Sequence, residues 1–205
     1  MERFSQLIAD QTLLPIIQAN SPEEAVNIAR AMANAGLTLV EVVLRTEASL
    51  SALRAIKQEV PQLKVGAGTI LSEQDLKKAL DAGADFIVTP AVSPKLLTLL
   101  NDCKVPVLPG VSNTGEILMA LEAGFTEQKL FPAALAGGVK FLSAISSVFQ
   151  SVKFCPTGGV NAANKADFLA LSNVFAVGGT WVAPKPWVED KNWEAVTKAC
   201  REAIA

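Results

Sequence analysis

The chain has 205 residues, 50% of them hydrophobic, and its 18 basic and 20 acidic side chains leave a net charge of −2. It contains no His and no Tyr, which excludes imidazole and phenol acid–base catalysis, Ser-His-Asp and Cys-His nucleophiles, and any His-ligated metal. Acid–base chemistry must come from Asp, Glu, Lys or Cys, and the dispersed lysines and arginines offer no broad cationic face to nucleic acid or an anionic membrane.

The opening segment, MERFSQLIADQ, is amphipathic, carries charges within its first ten residues and lacks the apolar run of a signal peptide. It suits a short N-terminal helix. No stretch approaches 18 uninterrupted apolar residues, so no membrane span and a cytoplasmic location are expected. Cys103, Cys155 and Cys200 are odd in number and form no C-x-x-C pair. They read as buried, inert thiols of a reducing compartment rather than a disulfide or zinc framework.

Short runs rich in Val, Ile, Leu and Phe, bounded by Gly or Pro, then predict strands. They lie at 13–19, 39–44, 64–70, 86–90, 105–109, 128–131, 153–156 and 174–178. Helical patterns separate them. In SPEEAVNIARAMANAG, Ser21 can cap, Pro22 takes the first helical position and Glu24 can close a capping box. Ser72 and Asn113 open two further helices, and Ala35-Gly36, Ala82-Gly83 and Ala123-Gly124 end three of them in the same way. Eight strand–helix units without a linker predict a parallel sheet, closed as a (β/α)8 barrel in one domain over residues 1–205. An open doubly-wound sheet competes, but no G-x-G-x-x-G follows the first strand.

A parallel strand buried on both faces normally reads as unbroken hydrophobics. LVEVVLRT departs from this at Glu41 and Arg45, which alternation puts on one face with Val43, pointing into the barrel, while Val40, Val42 and Leu44 face the helices. A structural ion pair would explain them; so would a site. Lys129 is the second anomaly, set between apolar residues on the face it shares with Phe131. An ammonium stripped of water near another cation gives up its proton more readily, and a neutral amine is what imine formation requires. The competing explanation is a strand-end lysine reaching out to water, which suits Lys64 and Lys153 at the starts of their strands better than Lys129.

Gly158-Gly159 follows the seventh strand and Gly178-Gly179-Thr180 the eighth. Barrels of this type hold phosphate in those two loops, on backbone N–H groups that glycine leaves open. Thr69 ends the third strand on the face of Ala67, which is expected to bring its hydroxyl to the mouth. Phe175, Trp181, Trp187 and Trp193 could form either an interface or a cap over the barrel.

In this order, VEVVLRT, GAGT, KLFPA, GGVKFL, FCPTGG and VGGTW resemble the 2-dehydro-3-deoxy-6-phosphogluconate (KDPG) and 4-hydroxy-2-oxoglutarate (KHG) aldolase family over nearly the whole chain. The resemblance implies a homotrimeric (β/α)8 barrel that needs no metal or other cofactor. It also implies cleavage of a phosphorylated 2-oxo acid to pyruvate and D-glyceraldehyde 3-phosphate in the Entner–Doudoroff pathway, with KHG cleavage to pyruvate and glyoxylate as a further activity. By position, Lys129 resembles the Schiff-base lysine and Glu41 the general acid/base. Arg45 and Thr69 resemble the pair that holds the pyruvyl carboxylate, Pro90 and Phe131 the walls of the pyruvyl pocket, and Thr157 the residue beside the substrate hydroxyls. Gly158, Gly159, Gly179 and Thr180 resemble the phosphate cradle. Two departures stand out. Many members carry an acidic residue where this chain has Ala134, and some a basic one where it has Gln18. The galactonate epimer as substrate, a metal-free phosphate-sugar isomerase and a catalytically silent phosphate-binding barrel are the alternatives.

Overall fold

Strand and helix alternate through the computed structural model, which describes residues 3–204. After α1 (Phe4–Ile8) come β1 (Leu13–Ile17), α2 (Pro22–Asn34), β2 (Leu39–Val43), α3 (Ser49–Glu59), β3 (Lys64–Gly68), α4 (Glu73–Asp81), β4 (Ile87–Val88) and α5 (Pro94–Asn101). There follow β5 (Val107–Leu108), β6 (Gly110–Val111), α6 (Thr114–Glu122), β7 (Glu127–Leu130), α7 (Gly138–Ile145), β8 (Lys153–Pro156), α8 (Lys165–Leu169), β9 (Val177–Gly179), α9 (Lys185–Glu189) and α10 (Trp193–Ile204). No described helix is long and apolar enough to cross a membrane.

The strands pair in parallel in the order β5-β4-β3-β2-β1-β9, with a second sheet β6-β7-β8. Two features join these sheets into one closed barrel. β5 and β6 are halves of a single stave, split at Pro109, which has no N–H to donate to a ladder. Bridges Phe154↔Val174 and Thr157↔Gly178 link β8 to β9. The fold is the expected (β/α)8 barrel rather than the open sheet. The first four strands are shorter than their hydrophobic runs, the fourth shrinking from 86–90 to Ile87–Val88, because the ends of these runs leave the ladder for the loops. The run 153–156 is β8 unchanged, and the last strand is Val177–Gly179, so Gly178 and Gly179 lie within it rather than after it.

Local chemistry sets the helix ends as the sequence predicts. Ser21, Ser72 and Asn113 each accept a bond from the backbone N–H three residues on. Gly36, Gly83 and Gly124 follow the three C-caps with φ of +96°, +86° and +92°, a region where a Cβ is costly. Glu24 differs in one detail: its carboxylate accepts from Asn20 N rather than from the cap residue Ser21.

Alternation sorts the side chains. Val40, Val42, Val65, Ala67 and Ile87 face outward and pack with Ile28, Met32, Leu53 and Ile56 of the helices. Leu14, Leu39, Phe86, Val88, Leu108 and Cys155 face the axis. There they meet Phe4 and Ile8, so α1 plugs the N-terminal end of the barrel. Phe4 meets Phe86 edge-on, with centroids 5.2 Å apart, and Ser5 N donates to the Glu127 carboxylate at 2.9 Å. The aromatics expected to form an interface or a cap are divided: Phe175 packs beside Phe4 at this closed end, while Trp181, Trp187 and Trp193 lie half-buried against the helix-side core.

Candidate active site

Glu41 on β2 and Lys129 on β7 come from strands of different sheets, and closure of the barrel brings them together on its axis. Lys129 Nζ lies 3.5 Å from Glu41 Oε1, with 5% and 0% of the two side chains exposed. Glu41 Oε2 is buried and has no hydrogen-bond partner among the described residues. A purely structural ion pair recovers its desolvation cost only when its remaining lone pairs are also satisfied. This pair is long and half satisfied, which marks it as a place where a further polar group belongs. Lys129 does not escape to water, whereas Lys64 and Lys153 are exposed as expected. Its ammonium also lies 5.1 Å from the centroid of the Phe131 ring, within cation–π reach.

The structure corrects two details of the mouth. Arg45 is not on the strand: β2 ends at Val43, and Arg45 lies two residues beyond it, exposed to solvent. Thr69 is not carried by the face of Ala67, which packs outward among the helices. It follows the end of β3 in a left-handed conformation, φ +66°, and Arg45 Nε donates to its Oγ1 at 3.3 Å. Arginine and hydroxyl thus stand together at the rim, the arginine four residues along the chain from the buried carboxylate.

Pro90, at the end of the fourth stave, is half-buried and crowds Gly110 closely enough that a Cβ there would meet its carbonyl carbon. Gly110 in turn pairs with Lys129. Thr157 is buried, and its hydroxyl would overlap a Cβ on Gly178. The loop after β7 is stitched to the loop after β8 by Ala133 N→Thr157 O, 2.8 Å, and Ala134 N→Gly158 O, 3.0 Å. Gly158 and Gly159 both have positive φ, +94° and +80°, a region where a Cβ is costly and glycine is favoured. Gly179 differs from them: it makes room for the Trp181 ring, and Thr180 beside it is exposed.

A cavity of about 460 Å³ opens at the C-terminal ends of β1 and β9, lined by Ile16, Gln18, Asn20, Thr180, Trp181 and Lys185 among others. Ile16 is the register partner of Glu41, but neither Glu41 nor Lys129 lines this space, which Ile28, Val188 and Glu189 bound on the helix side. Gln18 lines it, whereas Ala134 is exposed and packs against Gly159.

One neighbour of the site escaped the sequence. Cys155 pairs with Lys129 across β7 and β8 and sits on the axis, fully buried. Burial, first of all, pushes its thiol up to about 12, with Lys129 and Glu41 acting in opposite directions. A neutral thiol therefore floors the site. The alternation of KFCP could have located it, since Cys155 is two residues before Thr157, but nothing in the residue type pointed there.

The family model described as KDPG and KHG aldolase matches residues 5–199. The chain is 42% identical over 202 residues to a 2-dehydro-3-deoxy-phosphogluconate aldolase of Pseudomonas aeruginosa, covering 98% of this chain and 92% of that one. It is 41% identical over 192 residues to the KHG/KDPG aldolase of Escherichia coli, covering 94% and 90%. Among solved structures it superposes on the KDPG aldolase of Legionella pneumophila with a TM-score of 0.93 at 36% identity, covering 96% of each chain. In that crystal structure pyruvate was captured as a covalent carbinolamine intermediate. A barrel with a buried lysine–carboxylate pair, matched to these relatives along almost its full length, belongs to the KDPG and KHG aldolase family.

Proposed function

We propose that this chain is a class I aldolase that cleaves 2-dehydro-3-deoxy-6-phospho-D-gluconate to pyruvate and D-glyceraldehyde 3-phosphate, and KHG to pyruvate and glyoxylate. Lys129 is the imine-forming residue and Glu41 the acid/base. The observation that carries this reading is the buried Lys129–Glu41 pair, with 3.5 Å between Nζ and Oε1 and Oε2 left free for a substrate hydroxyl.

The chemistry follows from that geometry. The Lys129 amine attacks the C2 ketone, and proton transfer and loss of water leave a protonated imine. Glu41 takes the C4 hydroxyl proton as the C3–C4 bond breaks. The bonding pair moves into C3 and onto the imine nitrogen, so the aldehyde leaves and an enamine remains. The same carboxyl returns its proton to C3, and water hydrolyses the imine to release pyruvate and the free amine. Arg45 and Thr69, joined at the rim, hold the pyruvyl carboxylate so that the ketone carbon faces Nζ. Pro90 and Phe131 wall the pyruvyl pocket, Thr157 meets the substrate hydroxyls, and Gly158, Gly159, Gly179 and Thr180 cradle the phosphate. With no Cβ at Gly158 and Gly159, their backbone N–H groups are open to an anion. The active form is a homotrimer of one-domain barrels in the cytoplasm.

Borohydride added to the protein with pyruvate is expected to fix one pyruvyl adduct per chain, on Lys129, read by intact and peptide mass spectrometry. Lys129→Ala takes up none, and cleavage falls by about 10⁴-fold or more. An adduct that persists in that variant would sink the assignment. The half-satisfied pair favours chemistry over a silent phosphate-binding barrel, which predicts no adduct in the wild type. Cleavage rates on the gluconate, its galactonate epimer and unphosphorylated KHG separate the aldolase readings. The gluconate is expected to be fastest, and equal rates with and without phosphate would remove the cradle.

A further inference from the structure

Glycines on the inner face of the barrel adjoin its polar side chains. Gly110 pairs with Lys129, Gly178 bridges to Thr157, and Gly66 and Gly68 of β3 run beside Glu41 of β2. At Gly68 the neighbour is a reacting group. A Cβ built there would overlap Glu41 Oε1 and stand only 2.7 Å from its carboxyl carbon and 2.9 Å from its Cγ. Gly68 is not among the residues with positive φ, so alanine would bring no backbone strain, only bulk. Gly66, two residues earlier on the same face, is a contrast: its Cβ would strike the Phe86 ring and not Glu41.

The Glu41 carboxylate has little else to fix it. Among the described residues its one polar partner is Lys129 at 3.5 Å, the long limit of a hydrogen bond, and Oε2 has none. A group held so loosely by polar contacts must take its place from the shape of its surroundings. From this we infer that Gly68 is a positioning residue of the aldolase reaction: the gap it leaves in the barrel wall seats the Glu41 carboxylate against Lys129 Nζ. The inference rests on the reading of Glu41 as acid/base given above. Gly68 touches no reacting atom of the substrate and acts through Glu41 alone, so forming the imine does not need it, whereas moving protons on the imine does.

Two steps that pyruvate alone reports separate these roles. Borohydride trapping reads imine formation. Exchange of the pyruvate methyl protons for deuterium, followed by NMR, reads proton transfer between the acid/base and the enamine carbon. Gly68→Ala is expected to keep trapping within about threefold of the wild type while methyl exchange falls about 100-fold or more, the range of a lost general acid/base and the behaviour expected of Glu41→Gln. Gly66→Ala is expected to lower the Tm and leave the ratio of exchange to trapping unchanged. Stability gives a second reading that needs no activity. Gly68→Ala should lower the Tm when residue 41 is Glu, and should cost much less in a Glu41→Ala background, where the overlapping carboxylate is gone. This holds even if the single variant fails to fold. Near-wild-type exchange in Gly68→Ala, or the same Tm loss in both backgrounds, overturns the inference. If the wild type itself traps no pyruvate, the class I reading has failed, and the Tm comparison still judges the seat.

Discussion

Leu39 and Glu41 are two residues apart on β2, and Glu127 and Lys129 two apart on β7, yet each pair spans the difference between the two ends of the barrel. At the N-terminal end Leu39 joins Leu14, Phe86 and Leu108 around Phe4 and Ile8 of α1, and Glu127 is used up in bonds to Ser5. One inward position further along, apolar filling gives way to a carboxylate with a free oxygen and an amine 3.5 Å away. The lower end is a filled core: aromatic edges meet, and the Glu127 carboxylate is satisfied by Ser5. The upper end withholds that satisfaction, as chemistry requires, and glycines beside the polar groups leave room for them. A barrel can carry such a site because the stability of the staves is supplied elsewhere, by the plug below and the helices outside.

If the ends are as separate as this, damage to one should spare the other. The largest effect belongs to the mouth: Glu41→Gln should cut cleavage about 10²–10⁴-fold while borohydride still traps pyruvate and the Tm changes little. Joint loss of trapping and turnover would mean that Glu41 also builds the imine. Next comes the plug. Phe4→Ala should cost about 3–5 kcal/mol of unfolding free energy, the price of a large aromatic removed from a packed core, measured by urea denaturation. Its kcat and KM well below the midpoint should stay at wild-type values. A changed KM would show that the two ends communicate.

The smallest effect tests the floor between them. Burial holds the Cys155 and Cys200 thiols up at about 12 against an ordinary 9.0. The unfolded chain therefore releases these protons first as pH rises, and the stability they lend is complete below pH 9 and drains away between 9 and 12. The Tm should fall across that window, and more gently in a Cys155→Ala, Cys200→Ala variant. In the native protein at pH 8, alkylation should be confined to the half-exposed Cys103 and be slow, because burial and Asp102 raise that thiol as well. Rapid labelling of Cys155 would mean that the floor is open to solvent.

Much of this molecule was legible in its residues. The alternation of β and α patterns, the caps at Ser21, Ser72 and Asn113 and the three terminal glycines are local features, governed by contacts a few residues long, and they settled the elements and the fold class. The anomalies at Glu41 and Lys129 were legible for the same reason: a charge in a strand buried on both faces is visible in one segment. What lay outside the sequence was everything that depends on two segments at once. Strand alternation could not tell that β2 ends before Arg45 or that Thr69 turns left-handed to meet it, since both follow from where the ladder stops. It could not show that Cys155 floors the site, that Gly179 seats Trp181, or that Gly68 yields its space to a carboxylate from the next stave. The absence of His and Tyr limited the chemistry to carboxylates, amines and thiols. Only closure of the barrel, which brings β2 and β7 within reach across the axis, decided which carboxylate and which amine meet, because that distance is a property of the whole ring of strands and of no single one.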